Sequence, residues 1–254
     1  MRQYTEKSKA KGFTLIEVLI TLAISGILMT SVYAAFQAQQ DSYLAQDQVA
    51  EMQQNIRAGI FMMTREIRMA GFDPTEGAGS GITTASVSQL AFTQDINADQ
   101  DGLDNDADGS TDETDGSEDF PNGILGDSNE AIAYGFSNTN DADANGIVDD
   151  LNADGLQNDA APLGRNTGGG FQPVAENIQA IEFQYLDSSG AVTATLADIK
   201  SIQISILARA GNPDRKFINS LAYTTASAAV WGPFNDNFRR RFEIVTVKCR
   251  NMGF

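Results

Sequence analysis

Apolar and polar positions divide this chain into segments of different texture. From Phe13 to Phe36 run 24 residues of which Glu17 is the only charged one, and a helix crossing the hydrocarbon of a bilayer needs about 20 predominantly apolar residues. From Gln37 to Ala70 the composition turns polar, yet Val49, Met52, Ile56, Ile60, Met63 and Ile67 recur at spacings of 3, 4, 4, 3 and 4. Such spacing draws one apolar stripe along a helix. No proline falls between Phe13 and Phe72. The pattern therefore predicts a single helix over 13–70, about 58 residues and roughly 87 Å long at 1.5 Å per residue. Its first half, 13–36, has the length and apolarity of a membrane span, and its second half has one face to bury. Gly71, followed by Asp73 and Pro74, supplies the stop.

Past Pro74 the period changes from helical to alternating. Strands are predicted at Val87–Thr93, Ala131–Phe136, Ile178–Leu186, Ile199–Leu207 and Phe242–Lys248, the middle three built on apolar residues at every second position. The expected architecture is α+β: a long N-terminal helix packed on a β-rich globular domain spanning 71–254.

Charge narrows the function. The 254 residues carry 17 basic and 34 acidic side chains, a net charge of −17. Nucleic-acid binding is disfavoured, because it needs basic patches to neutralise phosphates. Histidine is absent, which removes the commonest general base and zinc ligand and every Ser/His or Cys/His nucleophile pair. Cys249 is the only cysteine, so no disulfide forms within the chain. No enzymatic activity is expected.

The N-terminal residues carry the most specific signal. Met1–Gly12 is short and basic, with Arg2, Lys7, Lys9 and Lys11 against Glu6. A secretory signal places its small-residue cleavage site after the apolar run; here the small residue, Gly12, precedes it. Glu17 stands one helical turn inside the apolar segment, where an ionisable group costs about 2.5–3.5 kcal/mol on insertion scales and marks either a side chain reaching back to water or one with a dedicated partner. The run Gly12-Phe13-Thr14-Leu15-Ile16-Glu17 resembles the signal of type IV prepilins. The segment Arg65-Glu66-Ile67-Arg68-Met69-Ala70-Gly71-Phe72 resembles the helix end of PilW-type minor pilins. So do Ala175–Tyr185, and Phe238–Phe242 with Arg250-Asn251.

The resemblance implies a type IV pilin fold and a leader, 1–12, removed by a prepilin peptidase. Cleavage between Gly12 and Phe13 would be followed by methylation of the new Phe13 amine. It also implies filament assembly in which Glu17 pairs with the Phe13 amine of the next subunit. The expected partners are other pilins and minor pilins and an inner-membrane assembly platform. The chain would sit in a bacterial inner membrane with its C-terminal domain in the periplasm, then in an extracellular pilus serving adhesion or twitching motility. A J-type minor pseudopilin of type II secretion shares the signal and the helix-plus-sheet plan, and a calcium-dependent adhesin displayed on a pilus-like stalk is a further alternative. Arg57, Arg65 and Arg68 would meet the acidic body of a neighbour, or complement the dipole at the helix C-terminus; the tract Arg239–Arg241 is a second candidate docking site.

One region lies outside the resemblance. Between Arg68 and Arg165 there is no Lys or Arg, and Asp95–Asp159 holds 19 of the 34 acidic residues. Within it Asp104, Asp106, Asp108, Gly109, Asp112 and Asp115 form D-x-D-x-D-G-x-x-D-x-x-D. Asn97, Asp99, Asp101, Gly102, Asn105 and Asp108 form an overlapping version; Asp141, Asp143, Asn145, Gly146, Asp149 and Asn152 form another, and a weaker one starts at Asp150. Calcium takes 6–8 oxygen ligands, and a loop with oxygens at positions 1, 3 and 5 and glycine at 6 wraps one ion. No loop has the bidentate Glu at position 12 of an EF-hand. The loops thus resemble thrombospondin or dockerin calcium repeats, and structural Ca²⁺ over 95–160 is the expectation. An acidic linker is the alternative for the same composition.

Overall fold

The computed structural model describes residues 12–74, 76–96, 125 and 129–253. It divides into two units, residues 1–47 and 48–254. Helix α1, Leu15–Ile67, begins in the first and ends in the second. It is shorter than the predicted 13–70 at both ends: Phe13 and Thr14 precede it, and residues 68–71 form a turn.

In the first unit every residue from 12 to 44 is exposed. Among the described residues α1 is the one helix long and apolar enough to cross a membrane.

In the second unit the helix follows its apolar stripe. Met52, Ile56, Met63 and Ile67 are buried, with Val49 and Ile60 packed partly buried beside them. Each such side chain removed from water contributes about 1.5–3 kcal/mol. They rest on a seven-stranded antiparallel sheet of order β1-β2-β3-β4-β5-β6-β9. Its strands are β1 (Ile82–Ala85), β2 (Leu90–Thr93), β3 (Ala131–Gly135), β4 (Ala161–Asn166), β5 (Gln172–Leu186), β6 (Ser201–Arg209) and β9 (Arg240–Lys248). Ile181, Phe183 and Tyr185 of β5 join Ile202, Ile204 and Ile206 of β6 in the core that holds the helix stripe. Ala180 and Leu207 belong to a smaller cluster with Trp231, against which Tyr223 and Phe242 pack. That cluster includes a two-stranded hairpin, β7 (Tyr223–Thr224) and β8 (Val230–Trp231).

The helix stops where expected. Gly71 adopts φ +76°, and its N–H donates to Thr93 O at 3.0 Å, tying the helix end to β2. Glu66, near that end, accepts from Arg165 Nε at 2.9 Å and from the Tyr134 hydroxyl. This fastens the helix to β3 and β4. For Arg165, burial lowers the guanidinium value, but the Glu66 carboxylate outweighs it and the net direction is upward.

Between β3 and β4 the chain makes two consecutive turns of the same construction. Asp141 accepts from Asn145 N at 3.0 Å and Gly146 N at 2.9 Å; nine residues on, Asp150 accepts from Asp154 N at 3.1 Å and Gly155 N at 2.7 Å. Ala144 and Gly146 have positive φ, and so do Ala153 and Gly155. The first turn is pressed against the sheet: Ile147 bridges Ala180, and Ile181 N–H donates to Gly146 O at 2.8 Å. A Cβ on Gly146 would stand 2.2 Å from Ile181 O, whereas one on Gly155 would meet nothing within 4 Å. Gly155→Ala should therefore cost about 1–2 kcal/mol, the left-handed backbone penalty alone. Gly146→Ala should cost clearly more, since β5 or the turn must also shift. Denaturant unfolding of the two variants measures this; equal losses would show that the overlap relaxes freely.

Candidate functional site

Two places bring candidate functional residues together. The first is the start of α1. Leucine, isoleucine and valine dominate the helix from Leu15, and Thr14 caps it. Thr14 N–H and Thr14 Oγ1 both donate to Glu17 Oε2 at 2.8 Å, and Glu17 N–H donates back to Thr14 Oγ1 at 3.3 Å. This is a reciprocal capping box, in which a Thr and a Glu three residues later satisfy donors that the first turn leaves without partners. The Thr-x-x-Glu spacing ahead of an apolar run could have announced it. Glu17 therefore has an intrachain role beside the predicted intermolecular one. Its Oε1 makes no hydrogen bond among the described residues. Gly12 is exposed and lies outside the helix, and Phe13 is 89% exposed. The Gly12–Phe13 bond precedes the helix, where a peptidase meets no helical hydrogen bond.

The second place is the Asp141–Asp149 turn. Carboxylate oxygens of Asp141, Asp143 and Asp149 lie within 4.8 Å of one another. Asp141 is buried; burial raises its carboxyl above the usual range, and neighbouring Asp143 adds to the rise against the N–H groups of Gly146 and Asn145. Asp149 is held by Ala142 N–H at 2.8 Å. Three carboxylates sharing one small space repel, and a hard divalent cation is the partner their oxygens suit. Asn145 stands beside them: its amide donates to Asp143 Oδ2 at 2.8 Å and its oxygen accepts from Ile147 N–H at 2.7 Å.

Asn152, common to both loops as position twelve of the first and position three of the second, makes its side-chain hydrogen bonds within the second. It donates to Asp159 Oδ1 at 3.2 Å and accepts from Asp154 N–H at 2.9 Å. The remaining predicted ligands, Asn97, Asp99, Asp101, Asp104, Asn105, Asp106, Asp108, Asp112 and Asp115, lie outside the described residues.

Two of the three arginines of the tract are used differently from the docking site expected. Arg240 is fully covered, with its guanidinium against both Asp236 oxygens at 2.6 Å and 4.0 Å over the Phe234 ring. Arg239 pairs with Asp214 at 2.8 Å and stacks on Phe217. Both act within the fold, a role that the bare sequence of three arginines does not distinguish. Cys249 is free and buried, and burial pushes its thiol up to about 12.

No curated protein matches this chain. Among solved structures it is similar to a type IV-like pilin, TTHA1219, from Thermus thermophilus, at 13% identity over 78% of this chain and 96% of that one, with a TM-score of 0.38. Residues 7–33 match the family model of the prokaryotic N-terminal methylation motif. The chain thus carries that motif across the Gly12–Phe13 junction and into the exposed apolar part of α1.

Proposed function

We propose that the chain is a non-enzymatic pilin-type subunit, a PilW-like minor pilin, anchored in a bacterial inner membrane by 13–36 and then built into a type IV pilus. The observation that carries this is the position of Glu17. It is the one charge in an exposed apolar helix start, inside the matched methylation motif. A prepilin peptidase would cut after Gly12, exposing the Phe13 amine. In the packed filament, Thr14 would hold Glu17 Oε2 while Oε1 receives the methylated Phe13 amine of the neighbouring subunit. Opposite charges attract strongly where water is excluded, and the pairing would offset the cost of a lone carboxylate among apolar helices.

Glu17→Gln isolates the charge, because glutamine also serves at the third position of a capping box. The variant should enter the membrane and be cleaved to an N-methylated Phe13, read by mass spectrometry, yet appear in sheared filaments far below the wild-type level. Wild-type incorporation of Glu17→Gln would remove the pairing role. An intact Met1, or a cut beyond Phe36, would remove the subunit reading altogether.

We propose in addition that the Asp141–Asp149 turn holds a structural Ca²⁺, with Asp141, Asp143 and Asp149 as carboxylate ligands. The raised Asp141 carboxyl fixes the sign of the pH dependence. Without cation, its contribution to stability is present at low pH and is lost as pH rises through its folded value. A bound Ca²⁺ favours the ionised form, so stabilisation by Ca²⁺ should grow from acid toward neutral pH. For the full chain in detergent micelles the gain should approach about 2.7 kcal/mol at a free ion level 100 times the dissociation constant. Asp143→Ala should abolish it. Absence of a melting shift at millimolar Ca²⁺, or the same shift in Asp143→Ala, would overturn the assignment.

A further inference from the structure

The end of α1 borders a cavity of about 920 Å³ whose lining includes Phe61, Arg65, Arg68, Phe72, Arg165 and Arg250. Four arginines face it against one carboxylate, Glu66, which Arg165 and Tyr134 already occupy. Arg65, Arg68 and Arg250 are exposed, and among the described residues none of them makes an ion pair. Phe61 stands one helical turn before Arg65 and is 72% exposed. A bare aromatic beside unpaired guanidiniums has the composition of an interface centre, where aromatic and arginine side chains supply much of the binding energy. In a chain of net charge −17, this concentration of positive charge selects an acidic partner.

The same unit carries a surface of the opposite kind. In the second turn Leu151 is 47% and Leu156 54% exposed, and exposed Asp150 and Asp154 accompany them. Hydrogen bonds from Asp154, Gly155 and Leu156 N–H groups fix this turn, so little ordering entropy would be lost on docking.

We propose that the arginine groove receives the Asp150–Leu156 turn of a second copy of this chain, carboxylates against Arg65, Arg68 and Arg250 and a leucine against Phe61. Two different surfaces meet, so the contact is heterologous and differs from a two-fold dimer, in which one patch meets itself. The overall negative charge does not prevent it: at physiological ionic strength exposed charges beyond about 8 Å are largely screened, and the contact brings opposite charges together. The inference goes beyond the subunit reading by naming a contact between globular units, and it rests on none of the residues that test that reading.

Two differently tagged full-length chains, one Phe61→Cys and one Leu156→Cys, are co-expressed in membranes and treated with a short bismaleimide. Native Cys249 is buried with a raised thiol value, so the introduced thiols react. The expected product is a dimer carrying both tags, with none from either variant alone. Arg65→Glu with Arg68→Glu in the first chain, or Asp154→Lys in the second, which leaves the turn-forming Asp150 in place, should cut the yield about tenfold, equivalent to 1.4 kcal/mol. Combining the two reversals should restore it, which a folding defect would not do. No mixed dimer, a yield indifferent to the reversals, or a link forming only within one chain that carries both cysteines would overturn the proposal. Processing at Phe13 in the same membranes, read separately, shows whether the subunit reading stands independently.

Discussion

The dominant constraint on this chain is that one helix meets two solvents. Up to residue 44 its side chains are exposed and largely apolar, and from Met52 onward one face is buried under a sheet. An apolar stretch that no described residue covers has the composition suited to lipid or to other helices. In apolar surroundings a charge at Glu17 is expensive and its hydrogen bonds matter. The capping box is the local answer, since it gives one carboxylate oxygen two donors from Thr14. The other oxygen makes no hydrogen bond among the described residues.

The second half of the helix answers a different demand, because here burial comes from within the chain. Its apolar stripe lies against the alternating faces of β5 and β6, and polar fastenings stand at the margins. Glu66 reaches β3 through Tyr134 and β4 through Arg165, while Gly71 pairs its N–H with β2. Each such bond is worth only about 0.5–1.5 kcal/mol net, small against the apolar stripe. Their effect is on register: they fix which residue of the helix stands over which strand. The arginine groove follows from this, since the same helix end that places Glu66 inward leaves Phe61, Arg65 and Arg68 outward.

What could be read from the sequence was whatever depends on a period. The helix stripe, its stop at Gly71 and the centres of β2, β3, β5, β6 and β9 all follow from spacing or a local breaker. β4 was missed because Pro162 and Gly164 look like loop residues. The strand tolerates them through register shifts on both sides of Leu163, and Gly164 lets Phe171 approach to where a Cβ would be 2.6 Å away. β1, β7 and β8 are too short to show alternation. The N-terminal site was legible because its residues are contiguous. The Glu66–Arg165 pair spans 99 residues, and nothing local marks it. Arg240 shows the reverse failure: three adjacent arginines look like a surface patch, and only the fold reveals that Phe234 and Asp236 enclose the middle one.

The tandem turns separate local geometry from chemistry. Asp141 and Asp150 make the same two hydrogen bonds to the residues four and five positions on, so the backbone of both turns follows from D-x-[DN]-x-[DN]-G. The charge around them differs. In the first turn position nine is Asp149, and three carboxylates converge with no cation among the described residues beside them. In the second, position nine is Asn158, and the carboxylate comes one residue later at Asp159. There it accepts from Leu151 N–H and stands 3.7 Å from Arg209. Arg209, itself stacked on Phe238 and bonded to Asn158 O, supplies from inside the fold the positive charge that the first turn lacks. One residue of offset therefore separates a turn whose carboxylate meets an arginine of its own chain from one whose carboxylates have no cation beside them among the described residues.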